Sequence, residues 1–504
     1  MKTKLLLLLL LVSNSIIAQS KEEIKDLFWG SSDKYKSAIT IPDKWKNESA
    51  VIIYKNENYQ YHKFGKKVTY TSSARKRVKL LDQAAVKEFS EFSFKERFHS
   101  TKGWGGFKKS TGVVGIKIVK PDGTEKEVNI DEEAVTTDDV KKIAISNLEI
   151  GDIIDYYYHS VEPFVSVGAY GFDPVEETLG DFYPVMDLKI TFKTENDFFV
   201  NFNTYNGAPE LKEISSKSSS DREYELTASD IEKNDFPRWF LPLVELPCYK
   251  FQVYFARSGK FEDQASAFLP EKESIIKKTV SKEDILKYYD DNRPFGDLGL
   301  IERFLKGKTF KNDAEKVEQV YYFLRHTYYT RFIEAYIAHD AKIMDAYALY
   351  GYSSIIDSDR QFINLFTAFC KDNKISYNIL IGTPRYNGPI NDLLLNANVK
   401  MILRTNTEPP VYLESFTPFT NADKLDYSLE DTDAYILTMS KNRKIDGVNT
   451  AKLPATTYTD NNTSEVVNIN LSDDFSTLNV SREYSLKGHN KEYSQKNKIG
   501  RASC

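Results

Sequence analysis

The stretch from Asp357 to Ile381, DSDRQFINLFTAFCKDNKISYNILI, constrains this chain more than any other. Phe362, Phe366, Phe369 and Cys370 recur at i, i+4, i+7 and i+8, which is the spacing of one buried helix face. Ser358 stands where an N-cap belongs, and Asn373 with Lys374 marks a stop. Tyr377 to Ile381 then reads as a short apolar strand. A helix start that opens onto a site, with a strand following, is a good place for a nucleophile, because the helix end favours an anion. What stands at this start is Asp359, not a cysteine, serine or histidine.

At the other end of the chain, residues 1–18 have the form of a signal peptide. Lys2 and Lys4 supply the positive end, Leu5 to Val12 the apolar core, and Ala18 a small residue for cleavage. That core is eight residues long, too short to span a bilayer. The expectation is an exported, soluble chain, periplasmic or extracellular, beginning near Gln19 and without a transmembrane segment.

The length of 504 residues exceeds what one core supports and predicts roughly three domains. The formal charge is -5, and loss of Lys2 and Lys4 brings it to -7, which argues against a nucleic-acid partner. Only Cys248, Cys370 and Cys504 are present, so no disulfide framework is implied. Large cores must then carry stability, and the 32 Tyr and 31 Phe can supply them.

The pattern predicts a β-rich plus α+β chain of several domains. After a polar segment at 19–47 with one short helix (Glu22 to Trp29), strands are expected at Val51 to Tyr54, Lys67 to Tyr70, Val113 to Val119, Ile153 to Tyr158, Leu188 to Phe192 and Phe198 to Phe202. Together they predict an antiparallel β domain over 48–255, with a Pro121-Asp122-Gly123 turn joining a hairpin. The charged region 256–299 reads as a helical connector with helices at Lys272 to Val280 and Lys282 to Tyr289. Asn312 and Glu315 have capping-box spacing ahead of a stripe of Val317, Val320, Tyr321, Leu324 and Tyr328. Helices to about Leu349, the 357–381 stretch, and strands at Val399 to Leu403 and Val411 to Glu414 give an α+β domain over 300–425. Residues 426–504 return to period two (Val467, Ile469, Leu471; Leu478, Val480) with too few strands to close a sandwich. The aromatic Phe236 to Trp239 segment reads as buried between domains.

In this order and spacing, several motifs resemble a known arrangement. They are GIKIVKPDGTEKEV, NLEIGDIIDYYYHSVEP, DAEKVEQVYYFLRHTYY, DSDRQFINLFTAFCKDNKISYNILIGTP and VYLESFTPF. The chain resembles bacterial exported proteins that join an N-terminal β domain of unknown function to a transglutaminase-like, papain-like α+β domain and a C-terminal β domain. The resemblance implies a Cys–His–Asp site. Its cysteine position falls on Asp359 (or, with a slip of one, Ser358), its histidine position on Asn398 (or Ala397), and its acid on Glu414.

The thiol and the imidazole that amide chemistry needs are therefore both missing. The expectation is a pseudoenzyme whose vestigial positions Asp359, Asn398 and Glu414 converge without catalysis. Such a chain would bind or scaffold a protein or envelope polymer, with no cofactor and no metal. His326 and His339 have no ligand spacing. The competing reading is an active amide hydrolase or transferase, either cysteine-dependent through Cys370 or carboxylate-based on Asp359 and Glu414. Cys370 lies about 16 Å along the helix from Asp359 by helix rise and within the apolar stripe, where a thiol is inert.

Overall fold

The structure, a computed structural model, describes residues 20–64, 67–98, 110–137, 140–165, 168–214, 221–235, 237, 239–265, 268–270, 276–290, 298–327, 342, 359–393, 395–415, 420–439, 445–491 and 494. The architecture is β-rich, and the chain divides into two compact units, residues 1–278 and 279–504. Ser358, His339 and the helices expected up to Leu349 lie outside the described residues.

The first unit is built on a long hairpin, β1 (Ala50–Phe64) and β2 (Lys67–Leu80), with Ala50 opposite Leu80 and Phe64 opposite Lys67. These strands run more than three times as far as their apolar patches predicted, because the remainder is rich in Lys, Asn, Ser and Arg. Around them lie β3 (Ser110–Val119), β4 (Ile153–Val165), β5 (Val175–Thr178), β6 (Val185–Glu195), β7 (Phe198–Tyr205), β8 (Asp221–Ile231) and β9 (Cys248–Ala256). One sheet runs β8-β6-β1-β2-β4-β3, and a second packs β9 between β7 and β5. The PDG turn closes as expected, with Gly123 at φ 88° and the Gly123 amide donating to the Lys120 carbonyl.

Three expectations change here. The sheet is not wholly antiparallel, since β1 pairs parallel with β6, Ile52 opposite Val185. Residues 276–277, expected within a helix, form a short strand parallel to β7 instead. Trp239, expected buried, is 86% exposed at positive φ, because a turn points the ring outward.

The two sheets face each other over an aromatic core. Phe192 meets Phe251 edge-on at 5.1 Å and Tyr61 meets Phe172 at 4.9 Å. The outer face of the first sheet is covered by the N-terminal segment. Its helix α1 (Lys21–Trp29) is capped reciprocally by Ser20 and Glu23, and Phe28 stacks on Tyr157 at 4.5 Å. Beyond it, Arg75 joins Asp33 (2.7 Å) and Asp155 (2.8 Å), Arg77 reaches Asp155 (2.9 Å), and Arg77 Nε donates to the Ala38 carbonyl. Covering both faces is what allows polar residues in the middle of β1 and β2 to stay in strand.

The second unit contains α2 (Lys282–Asp290), α3 (Asp313–Arg325) and α4 (Asp359–Asp372). Its sheet runs β12-β11-β10-β13-β14, from β10 (Tyr377–Gly382), β11 (Lys400–Thr405), β12 (Tyr412–Leu413), β13 (Asp433–Met439) and β14 (Ile445–Lys452). The expected boundary at 425/426 cuts through this sheet, because β10 needs β13 on its second edge to bond its backbone. Asn312 caps α3 by accepting from the Glu315 amide at 2.9 Å, while Glu315 reaches back to the Lys311 amide. The buried face of α4 holds Phe362, Phe366, Phe369 and Cys370, as the periodicity predicted, together with Ile363, and Tyr321 of α3 lies 6.2 Å from the Phe362 ring. Each such aromatic contributes about 1.5–3 kcal/mol of burial. The helix ends where Lys374 turns to φ 59° and the Ile375 amide bonds the Cys370 carbonyl at 2.9 Å.

Residues 463–486 form a two-stranded hairpin, β15 (Thr463–Leu471) and β16 (Leu478–Leu486). Val467, Ile469 and Leu471 align with Arg482, Val480 and Leu478 on one face, and Ile469 remains 61% exposed. Among the described residues no helix is long and apolar enough to cross a membrane.

Candidate functional site

Asp359 opens α4 in its first turn, where the unpaired amides of a helix start favour a carboxylate. Beside it, β11 delivers Lys400, whose Nζ lies 3.6 Å from the Asp359 carboxylate. Both side chains are about one-third exposed, so the pair is reachable from solvent.

Glu414 follows β12 directly and is half-buried. Its Oε2 accepts from the Asp426 amide at 2.9 Å. Burial pushes its carboxyl up to about 7; the Asp426 and Asp359 charges push the same way, while the Asp426 amide and Lys400 oppose them. Asp359, Lys400, Glu414 and Asp426 therefore form one interacting set. Arg360, next along α4, stacks its guanidinium 5.3 Å over the ring of Tyr288 of α2, and Tyr288 feels the Asp359 charge as well.

Of the residues singled out in the sequence, Asp359 and Glu414 come together. Asn398 ends a short turn two residues ahead of Lys400, half-buried. Cys370 is fully buried in the α4 stripe, and burial pushes its thiol up to about 12. His326 is exposed at the end of α3. Among the described residues no group of three or more His, Cys, Asp and Glu is placed to hold a metal.

Sequence reasoning missed Lys400, Asp426 and Tyr288. Lys400 had a signal, a cation interrupting the apolar run Val399 to Leu403. Asp426 had none, because its role rests on a backbone amide.

Chemically, the set offers a carboxylate with an ammonium partner and a carboxyl that titrates near neutrality. It offers no accessible thiol among the described residues, since Cys248 is also buried.

Residues 66–234 match a family described as a domain of unknown function with solved structure, DUF3857. That region spans β2 to β8 of the first unit. No curated protein matches the sequence. A crystal structure from Parabacteroides distasonis, described as "a putative protease", is similar at 14% identity and a TM-score of 0.46, covering 81% of this chain and 72% of that one. An M1 zinc metallopeptidase from Deinococcus radiodurans is similar at 7% identity and a TM-score of 0.21, covering 41% of this chain and 42% of that one.

Proposed function

We propose that the protein is exported and that its second unit is a degenerate transglutaminase-like domain, which binds or scaffolds a protein or polymer of the cell envelope without breaking amide bonds. One observation carries this reading: the helix start that amide chemistry reserves for a thiolate holds Asp359, engaged by Lys400. Transamidation needs a thiolate, a proton-exchanging imidazole and an orienting acid acting as a unit, and loss of one member removes most of the rate. Cys370 is no substitute, being a core thiol far above the range in which thiolates form. An accessible carboxylate–ammonium pair at a helix start suits recognition of a polar ligand instead.

The test uses the purified mature chain beside Lys400→Met. Ammonia release from a glutamine-containing peptide and co-sedimentation with isolated envelope polymer are both measured. Retention that depends on Lys400, with no ammonia, is the expected result; thiol-reagent-sensitive ammonia release overturns the reading. Export is checked by N-terminal sequencing of envelope material, where an intact Met1 overturns it.

Glu414 favours a second reading. A carboxyl titrating at about 7 beside an ion-paired carboxylate is how acid and base roles are divided in hydrolases. Hydrolysis of a chromogenic glycoside, abolished separately by Glu414→Gln and Asp359→Asn, decides for that alternative.

A further inference from the structure

The first unit carries an open cleft of about 760 Å³ whose lining is rich in charge. Along β1 the core residues Ile52 and Tyr61 face inward, yet between them Lys55, Glu57 and Tyr59 line this cleft. A β-bulge between Ile52 and Tyr54 causes the change. Ile53 packs on the outer face with Ala38 and Ile39, and Tyr54 stacks outward on Tyr35. The extra residue shifts the alternation by one, which turns Lys55 and Glu57 inward. Bulges that re-aim side chains in this way concentrate beside binding sites.

The charges form a chain. Lys76 lies 2.7 Å from Asp181, Asp181 lies 3.4 Å from Lys55, and Lys55 lies 3.2 Å from Glu57. The Lys55 side chain is 8% exposed and that of Glu57 14%. Such pairs contribute little to stability compared with apolar residues of equal size, so stability alone does not account for them. The four groups neutralise one another, and Glu177 of β5 is left over on the same wall, forming no ion pair among the described residues. Glu177 itself is exposed to solvent, and partial burial, with the Glu57 and Asp181 charges, raises its carboxyl above the usual range despite Lys55 and Lys76. Tyr70 and Tyr158 also line this cleft.

We propose that this cleft binds a primary ammonium group, held by Glu177 and by the aromatic wall. A carboxylate outside any ion pair among the described residues, beside tyrosine side chains and in a cleft of small-ligand size, is complementary to that group. The ammonium can come from a free amine, a lysine side chain or an amino sugar.

The experiment titrates the full chain calorimetrically with cadaverine, Nα-acetyl-lysine amide and glucosamine, each beside its fully N-acetylated counterpart. At least one ammonium probe is expected to saturate while its acetylated form does not, and which one does so identifies the source. Glu177→Gln is expected to weaken binding at least tenfold. Lys76→Met, which frees Asp181 from a competing cation, is expected to tighten it, with circular dichroism melts confirming that both variants fold. Absence of saturation at millimolar probe overturns the proposal. So do equal binding of the acetylated forms, unchanged affinity in Glu177→Gln, or weaker affinity in folded Lys76→Met.

Discussion

Lys400 Nζ stands 3.6 Å from the carboxylate of Asp359, so a strand brings a cation to the helix start two residues beyond Asn398. Because both groups are partly exposed, the pair itself is worth at most about 1 kcal/mol. Its electrostatic effect reaches further, since Lys400 opposes the forces that raise Glu414. Lys400→Met is therefore expected to cost under about 1 kcal/mol of stability while moving the Glu414 titration upward. Carboxyl-carbon NMR across pH 4–9 measures this, and an unmoved midpoint counts against the coupling.

Glu414 also makes stability depend on pH. Its carboxyl titrates at about 7 in the fold against 4.5 when free, so between these values the native state holds the extra proton. Stability is then fully present below the unfolded value and declines as pH rises through 7, by up to about 3 kcal/mol at 1.36 kcal/mol per unit. Glu414→Gln keeps an acceptor for the Asp426 amide and removes the charge. Urea unfolding should find wild type and variant similar at pH 5 and the variant more stable at pH 8. A difference that is constant with pH would be inconsistent with the buried-carboxyl argument.

Asp155 predicts the opposite slope. Burial works against its charge, but bonds from Arg75, Arg77 and Trp29 outweigh it and hold the carboxyl below the usual range. That stability is present above the ordinary carboxylate range and is lost as pH falls through the lowered value. Asp155→Asn leaves two buried guanidinium groups short of charge and is expected to cost about 3–5 kcal/mol. Hydrogen exchange over residues 20–41 should accelerate first, because Arg75 and Arg77 are what fasten that segment to the sheet.

Cys370 should behave as packing only. In a Cys504→Ser background, both remaining thiols are buried and should resist a disulfide reagent at pH 8 until the chain unfolds. Cys370→Ala is expected to lower stability by about 1–2 kcal/mol without altering ligand retention. Prompt labelling of one thiol in the native state would refute this.

The hairpin of β15 and β16 should exchange its amides faster than β10 and β11. Its apolar side chains are half open, Val480 at 56%, and two strands alone are marginal. Protection equal to that of β10 in a hydrogen-exchange experiment would show that something covers it.

Local pattern was sufficient for what depends on local pattern. The α4 stripe, the Asn312 cap, the PDG turn and the apolar parts of the strands follow from side-chain spacing, which the chain carries in order. Asp359 at the helix start was legible for the same reason, while Glu414 was singled out only through the family resemblance. The polar halves of β1 and β2 were not, because they are strands only through their pairing and through the N-terminal segment that covers one face. Nor were the parallel β1–β6 pairing and the two strands from beyond residue 425 that complete the sheet of the second unit. Lys400 next to Asp359, Glu414 titrating at about 7 and Glu177 outside any ion pair among the described residues were decided by tertiary structure. Electrostatic environment depends on distance and desolvation across the fold, and neither quantity is written in residue order.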